Sequence, residues 1–111
     1  MSCLFCRIIA GELAATIVYR DDDVIAFRDV NPQAPTHILV IPTRHIASVA
    51  DTQDSDVDLL GRLITIAKQV AQMEKLSGYR LVVNTGTQAG QSVFHLHVHL
   101  LGGRAMHWPP G

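Results

Sequence analysis

The stretch that decides the fold is His95-Leu96-His97-Val98-His99-Leu100-Leu101, in which histidine alternates with aliphatic residues. Side chains on a β-strand point to opposite faces in turn, so a strand here brings the three imidazoles onto one face. The aliphatic residues between them then face the other way, into a core. Histidine transfers protons, attacks electrophiles and binds metals near neutral pH. The stretch therefore predicts a strand that carries a chemical site.

The residues before this stretch predict further strands and two helices. A short helix is expected over Leu4–Ala10, with Ser2 as its N-cap and Gly11 at its end. Strands are expected at Thr16–Tyr19, Val24–Arg28, His37–Ile41 and Arg80–Asn84. An apolar stripe predicts one long helix between Ser55 as N-cap and Gly78 as stop, and comprises Val57, Leu60, Ile64, Ala67 and Ala71.

These elements predict an α+β fold in one domain over residues 1–111. Five strands form a mainly antiparallel sheet, and the histidine strand ends at Gly102-Gly103. The hydrophobic fraction of 48% and charged fraction of 17% are those of an ordinary globular chain.

Charge and hydropathy exclude several classes of partner. The net charge of −1 argues against a nucleic acid polymer as ligand, because such proteins need a basic surface. No apolar run reaches the length of a membrane span, and the N-terminus lacks the features of a signal peptide. We therefore expect a cytoplasmic protein, in which the two cysteines are thiols or metal ligands.

The three histidines allow two kinds of chemistry. A catalytic metal would need another ligand, often a carboxylate, and no Asp or Glu follows Glu74. Alternatively, one neutral imidazole attacks phosphorus, while an acceptor holds its second nitrogen as N–H. The loop with Gly86, Gly90, Gln91 and Ser92 favours phosphorus, because glycine amides and a hydroxyl can bind an anion.

Several motifs together resemble one family. The triad stretch matches the signature in which histidines alternate with apolar residues. Similar matches are found in Asp29 with Asn31–His37, in Gly90–Val93, in Gly102–Arg104 and in the terminal His107-Trp108-Pro109-Pro110-Gly111. From about Phe5 to Gly111 the chain is similar to the histidine triad (HIT) family, and in particular to its Hint branch of nucleotide-binding phosphoramidases.

The resemblance implies roles for individual residues. His97 matches the nucleophile, and the carbonyl of His95 would hold its tautomer. His99 and His37 match histidines near the phosphate, and Asp29 matches the carboxylate that accepts the ribose hydroxyls. Contacts to the phosphate and leaving group are implied for Asn84, Gly90, Gln91 and Ser92. An apolar purine slot is implied for Leu4, Phe5, Ile8, Phe27, Val30 and Leu39, for which plain core packing is the alternative.

A second constellation is Cys3-x-x-Cys6, which by itself is compatible with a redox pair, half of a zinc site or coincidence. The redox motif normally follows a strand, which the start of this chain does not provide. In family members with this cysteine pair, two histidines complete a structural zinc site, and here they would be His45 and His95. Such a Cys2His2 set is a standard closed zinc site.

The resemblance also implies an assembly and a reaction. The sheet would extend across a homodimer, and the tail 104–111 would carry Trp108 to the partner's site. The expected reaction is hydrolysis of purine nucleoside 5′-phosphoramidates through a nucleotidyl-histidine intermediate, without a catalytic cofactor. Alternatives are a dinucleoside polyphosphate hydrolase, a nucleotidyl transferase, a nucleotide-binding regulatory protein with residual activity, and a metal-dependent enzyme of the cupin type.

Overall fold

A computed structural model describes residues 3–111. The elements in chain order are α1 (Leu4–Ile9), β1 (Ile17–Arg20), β2 (Val24–Arg28), β3 (Thr36–Pro42), α2 (Val57–Met73), β4 (Tyr79–Val82) and β5 (Val98–Gly102). Short 3-10 turns lie at Val49–Asp51, Asp54–Asp56 and Thr87–Ala89. The architecture is α+β, as the sequence predicts.

The five strands form one sheet in the order β1-β2-β3-β5-β4, and every neighbouring pair is antiparallel. The last strand therefore inserts between β3 and β4, where His99 lies opposite Leu39 on one side and Val82 on the other. This central position gives the triad strand a fixed register, because a slip by one residue would move its histidines to the other face.

Each face of the sheet packs against one helix. The α2 face buries Leu96, Val98 and Leu100 together with the inward side of α2. The opposite face buries Phe5 and Ile8 of α1 in a smaller cluster, which also contains Ile25, Phe27, Leu39 and Ile41. The histidines share this second face with α1, so the short helix and the triad belong to one side of the molecule.

The apolar stripe predicted for α2 is partly wrong. The residues buried on α2 are Leu63, Ile66, Ala67, Val70 and Ala71. Val57 and Ile64 of the predicted stripe are 67% and 46% exposed, whereas Ala67 and Ala71 are buried. The predicted residues step by three and four and so follow one helical face, but the buried face is rotated around the helix from it, towards Leu63, Ile66 and Val70. The two faces share only Ala67 and Ala71.

Both predicted ends of α2 are also wrong. The N-cap is Asp56 and not Ser55, and a reciprocal capping box joins Gln53 and Asp56 in the preceding 3-10 turn. The helix ends at Met73, well before Gly78, because Lys75 adopts a left-handed conformation with φ of 57°. Lysine rarely takes this conformation, so sequence gives little signal for the stop.

The remaining boundaries agree within a few residues, with one instructive difference. The regular strand β5 begins at Val98, so His95 and His97 precede it in irregular chain. Alternation of faces nevertheless continues through these residues. The predicted cap Ser2 lies outside the described residues, and within them Cys3 is the N-cap of α1. None of the described helices is long and apolar enough to cross a membrane.

Candidate active site and metal centre

The three triad imidazoles lie side by side on the α1 face. The rings of His97 and His99 have centroids 4.9 Å apart, and Phe5 meets the rings of both His95 and His97 edge-on. His95 and His97 are buried, and His99 is partly buried. Strand alternation thus produces the shared face that the sequence predicts.

The tautomer of His97 is fixed by the backbone. Its Nδ1 lies 2.7 Å from the carbonyl oxygen of His95, a contact that requires Nδ1 to carry the proton and donate it. In a neutral imidazole the other nitrogen, Nε2, is then unprotonated and has a free lone pair. His97 lines the same cavity as His99 and Asp29, so a nucleophilic nitrogen belongs to that cavity.

A second chain of contacts orders His37 and His99. The backbone N–H of Gln33 donates to Nδ1 of His37 at 3.0 Å, which leaves the proton of His37 on Nε2. That Nε2 lies 2.9 Å from Nδ1 of His99 and 3.4 Å from Oδ2 of Asp29. His99 therefore accepts at Nδ1 and carries its own proton on Nε2. These contacts connect the Asp29 carboxylate through His37 to His99, whose ring lies beside that of His97.

The site favours neutral imidazoles. Burial, together with His97 and His37 close by, lowers the pKa of His99 to about 4. Burial also lowers the pKa of His37, although the Asp29 carboxylate opposes this, and burial lowers the pKa of His95. Neutral His99 and His37 at pH 7 agree with the tautomers that the contacts require.

A cavity of about 600 Å³ opens beside these groups. All six residues predicted for the purine slot line it, namely Leu4, Phe5, Ile8, Phe27, Val30 and Leu39. The polar lining includes Asp29, His37, His97, His99 and Ser92. Asp29 has one oxygen bound to the N–H of Asn31 at 2.8 Å. The cavity therefore has an apolar side and a polar side, as a nucleotide requires.

Gln91 occupies a different place from the predicted phosphate contact. Its amide donates to the carbonyls of Ala47 and Val93 at 2.7 and 3.1 Å, and its oxygen accepts from the N–H of Gly86 at 2.9 Å. The side chain is 3% exposed and does not line the cavity. Gln91 therefore holds the loop before the triad together, and its polar atoms are already used.

Gly90 and Asn84, the other two residues predicted to contact phosphate, lie outside the cavity lining. Gly90 has φ of 96° and closes the 3-10 turn ahead of the triad, where a side chain would be strained. Asn84 lies two residues beyond the end of β4 and is partly buried. Neither residue lines the cavity within this chain.

The sequence did not identify part of the cavity wall. Leu13, Ala14 and Ala15, which follow α1, line the cavity, and so does Val93 just before the triad. Asn31 and Gln33 add polar lining from the proline-bearing loop. These residues lie in irregular chain, where no periodicity reports the buried side; the resemblance in the loops Asn31–His37 and Gly90–Val93 was the available signal.

The predicted metal ligands form one cluster. Nδ1 of His95 lies 3.4 Å from Sγ of Cys3, 3.6 Å from Sγ of Cys6 and 3.2 Å from Nδ1 of His45. Sγ of Cys6 lies 3.4 Å from the same nitrogen of His45. Tetrahedral zinc, with bonds of about 2.3 Å to sulfur and about 2.0–2.1 Å to nitrogen, separates sulfur from nitrogen by about 3.6 Å and two nitrogens by about 3.3 Å.

The orientation of His95 also suits a metal. Its Nε2 lies 2.8 Å from the carbonyl oxygen of Pro42 and donates to it, so Nδ1 is the unprotonated nitrogen that faces the cysteines. A histidine ligand commonly has its second nitrogen fixed in this way. The four residues therefore fit a tetrahedral divalent metal by distance, and His95 also fits it by its tautomer.

A second group, Asp29, His37 and His99, meets the distance requirement for a metal but not the tautomer requirement. Binding a metal through Nε2 of His37 would move its proton to Nδ1, where the N–H of Gln33 already donates. Two donors would then face each other. The hydrogen bonds of this group therefore favour neutral imidazoles over a bound metal.

The C-terminal tail is attached to the rest of the chain by polar contacts. Nε of Arg104 donates to the carbonyl of Gln33 at 3.2 Å, and the Arg80 guanidinium donates to the carbonyl of His107 at 2.9 Å. Trp108 follows directly and is 81% exposed. Its ring does not line the cavity of its own chain.

Known proteins agree with this architecture. A "14 kDa zinc-binding protein" of Zea mays is 51% identical over 97% of this chain and 87% of its own length. A HIT family hydrolase from Legionella pneumophila is 54% identical, with a TM-score of 0.97 over 99% of this chain and 100% of its own. A histidine triad nucleotide-binding protein from Candida albicans is 31% identical, with a TM-score of 0.83 over 97% and 83% of the two chains.

The family model of the HIT domain matches residues 10–106, which include Asp29, His37 and the whole triad. With this match, and with relatives above half identity over nearly the whole chain, the chain belongs to the HIT domain family.

Proposed function

We propose that this chain belongs to the Hint branch and hydrolyses purine nucleoside 5′-phosphoramidates to a nucleoside monophosphate and an amine. The observation that carries the proposal is the contact of 2.7 Å between Nδ1 of His97 and the carbonyl of His95, which leaves Nε2 unprotonated in the cavity. Names of relatives such as the HIT family hydrolase and the nucleotide-binding protein support the same direction.

The proposed reaction has two displacements. The lone pair of His97 Nε2 forms a bond to the α-phosphorus while the bond from phosphorus to the amine nitrogen breaks. An anionic phosphate beside His99 favours its imidazolium, so His99 takes up a proton and passes it to the departing amine. Water then attacks phosphorus and gives its proton to the neutral His99, while the bond from phosphorus to Nε2 of His97 breaks and the monophosphate is released. The contact between His37 and His99 supports this proton transfer.

Recognition of the nucleotide follows from the two sides of the cavity. The apolar side, with Phe5 and Phe27 at a centroid distance of 5.3 Å, suits a purine ring. The Asp29 carboxylate has two acceptor oxygens, which suit two ribose hydroxyls. Ser92 lines the polar side, where we propose that it contacts the phosphate. Asn84 and Gly90 do not line the cavity, and for them a phosphate contact rests on the resemblance alone.

We also propose that Cys3, Cys6, His45 and His95 bind one structural zinc ion. The tetrahedral distances and the bond from His95 to Pro42 support this, as does the printed name of the maize relative. When bound, zinc would join α1 to the segments that contain His45 and His95. All four ligand positions are filled by protein, so substrate chemistry stays with the triad.

A homodimer completes the proposal. Strand β4 is at the edge of the sheet and pairs on one side only, and such edges accept another strand. Exposed Val57, Ile64 and Tyr79 add apolar surface on α2 and β4. In such a dimer the tail would place Trp108 beside the partner's cavity. Its exposure of 81% in a single chain supports this.

The testing experiment compares turnover of adenosine 5′-phosphoramidate and a diadenosine polyphosphate, each with and without a strong chelator. The proposal predicts faster turnover of the phosphoramidate by the wild-type chain and loss of that turnover in His97→Ala. Preference for the polyphosphate would assign the chain to the alternative hydrolase. Loss of chemistry on chelation in a chain that stays folded and still binds nucleotide would indicate a metal-dependent reaction instead.

A further inference from the structure

We propose that the metal cluster and the nucleotide cavity are thermodynamically coupled through α1, so that zinc and nucleotide each strengthen the binding of the other. The inference rests on the proposed nucleotide site and concerns its regulation. The short helix α1 contributes residues to both sites. Cys3 and Cys6 belong to the metal cluster, while Leu4, Phe5 and Ile8 belong to the cavity wall.

The helix cannot order itself. It has six residues, Leu4–Ile9, and isolated helices of fewer than about 12 residues are marginal in water. Its N-cap is the Sγ of Cys3, which accepts from the N–H of Cys6 at 3.4 Å. Thiol sulfur is a weak acceptor, so this cap contributes little without further support. The helix therefore depends on tertiary contacts and on whatever the cysteines bind.

Two sets of contacts hold the helix, one at each ligand site. Phe5 and Ile8 pack into the smaller core cluster, beneath the cavity. At the beginning of the helix, Cys3 and Cys6 face His45 and His95, which are distant from them in the sequence. A metal ion there fastens the helix at one end, and a purine against Leu4 and Phe5 covers its side.

His95 provides a second connection. Its Nδ1 faces the cysteines, its Nε2 donates to Pro42, and its carbonyl oxygen accepts from His97. The ring of Phe5 meets the rings of both His95 and His97, at centroid distances of 5.9 and 5.2 Å. A shift of His95 on metal release would therefore move Phe5 and His97, which both line the cavity.

The coupling is positive because both ligands require an ordered α1, and ordering this helix loses conformational entropy. Whichever ligand binds first orders α1 and offsets the loss of conformational entropy, so the second ligand binds to a helix already in place. Linkage requires the two effects to be equal: the factor by which zinc tightens nucleotide binding is the factor by which nucleotide tightens zinc binding. Couplings of this kind are commonly about tenfold.

The test uses the full wild-type chain with adenosine 5′-monophosphate as the probe. Calorimetry gives its Kd for the zinc-loaded chain, for the chelated chain and after zinc is restored. We expect chelation to weaken binding about tenfold and restored zinc to reverse the change. In the reciprocal measurement, a chromogenic chelator competes for zinc at equilibrium. Saturating nucleotide should lower the Kd for zinc by the same factor, and inorganic phosphate at equal concentration should not.

Variants separate the helix from general stability. Cys3→Ser with Cys6→Ser should bind the nucleotide as weakly as the chelated wild type and should not respond to zinc. Arg7→Gln is the matched control on α1, because its side chain is partly exposed and pairs with exposed Glu12 at 3.9 Å. It should leave both affinities unchanged. Hydrogen exchange should show loss of protection in Leu4–Ile9 on chelation, with α2 unchanged.

Equal nucleotide affinity in zinc-loaded and chelated chain would overturn the inference. Equal loss of exchange protection in α1 and α2 would also overturn it, because the effect would then be global unfolding. Failure of the proposed reaction has a different signature: no turnover of the phosphoramidate, while nucleotide affinity still depends on zinc. Failure of the coupling alone leaves turnover intact and affinity independent of zinc.

Discussion

The carbonyl oxygen of His95 accepts the Nδ1 proton of His97 at 2.7 Å, while the ring of His95 faces the two cysteines. One residue thus fixes the tautomer of the proposed nucleophile with its backbone and belongs to the metal cluster with its side chain. The arrangement divides the three triad histidines into different roles. His95 holds His97 in position, His97 offers a lone pair, and His99 forms a hydrogen bond with His37.

His97→Ala should abolish turnover and retain nucleotide binding. The substitution removes the nitrogen that attacks phosphorus, and loss of a nucleophile typically lowers kcat by about 10³-fold or more. Single-turnover kinetics and calorimetry with adenosine 5′-monophosphate measure the two effects. His97→Gly with added imidazole is the companion variant, and partial rescue is expected. A His97→Ala chain that keeps a tenth of wild-type kcat would show that another group is the nucleophile.

Gln91→Ala should lower stability, although the sequence suggested a phosphate contact. Three backbone groups, on Ala47, Val93 and Gly86, lose their partner, and an unsatisfied buried group costs about 1–3 kcal/mol. Denaturant unfolding measures the change. Exposed Gln88 in the neighbouring turn provides the control, and Gln88→Ala should be neutral. If Gln91→Ala is as stable as the wild type but binds nucleotide more weakly, the phosphate role would be correct.

Replacing Cys3 and Cys6 together by serine should lower Tm and release about one zinc ion per chain, because a closed metal site contributes folding free energy. The value of kcat per folded molecule should fall little, since no ligand position is open to substrate. Elemental analysis and thermal unfolding measure the two effects. If the wild-type protein is produced with ample zinc and contains no metal, the prediction is wrong.

Stability should fall as pH decreases from about 6.5 to about 4, in part through His99. Its pKa in the folded chain is about 4, against 6.5 for the free side chain, so in this window the unfolded chain binds the extra proton. The unfolding free energy therefore rises with pH, by at most about 1.4 kcal/mol per pH unit for one group.

The measurement compares wild type and His99→Asn at matched zinc content, so that ligand protonation cancels. The variant should lose stability less steeply in the same window. Parallel curves for the two proteins would mean that His99 is not held neutral by its surroundings.

Deleting His107–Gly111 should change selectivity among amine leaving groups and spare nucleotide affinity, because Asp29 and the apolar slot belong to the chain's own cavity. One buried aromatic contact accounts for about 1–3 kcal/mol of transition-state binding. A mixed dimer locates the effect: one subunit carries His97→Ala with its tail, and the other an active triad without a tail. Wild-type selectivity supports a tail acting across the interface. Selectivity like that of the tail-deleted homodimer contradicts it.

Alternation explains why the sequence located the face on which the triad histidines lie. Leu96, Val98 and Leu100 are buried under α2, so the histidines between them have no other face available. Periodicity was less successful along α2, where steps of three and four residues selected Val57 and Ile64 beside the buried face in place of Leu63 and Ile66. A strand period of two is unambiguous over five residues, whereas a helix period of 3.6 is not.

The loops could not be predicted to the same depth. The tautomer of His37 depends on the N–H of Gln33, and the place of Gln91 depends on carbonyls far away in sequence. Such contacts form only when distant segments of the chain meet in the fold, so residue types alone do not predict them. Conversely, the four metal ligands were identified from the resemblance and meet at distances that suit zinc.

The most direct test of the account is the stereochemical course at phosphorus. A nucleoside 5′-phosphoramidate made chiral with sulfur in place of one phosphoryl oxygen is hydrolysed by the wild-type chain in isotopically labelled water. Attack by His97 followed by attack of water gives two inversions, and the account predicts net retention of configuration. Net inversion would mean a single direct attack by water, and the covalent role of His97 would be wrong.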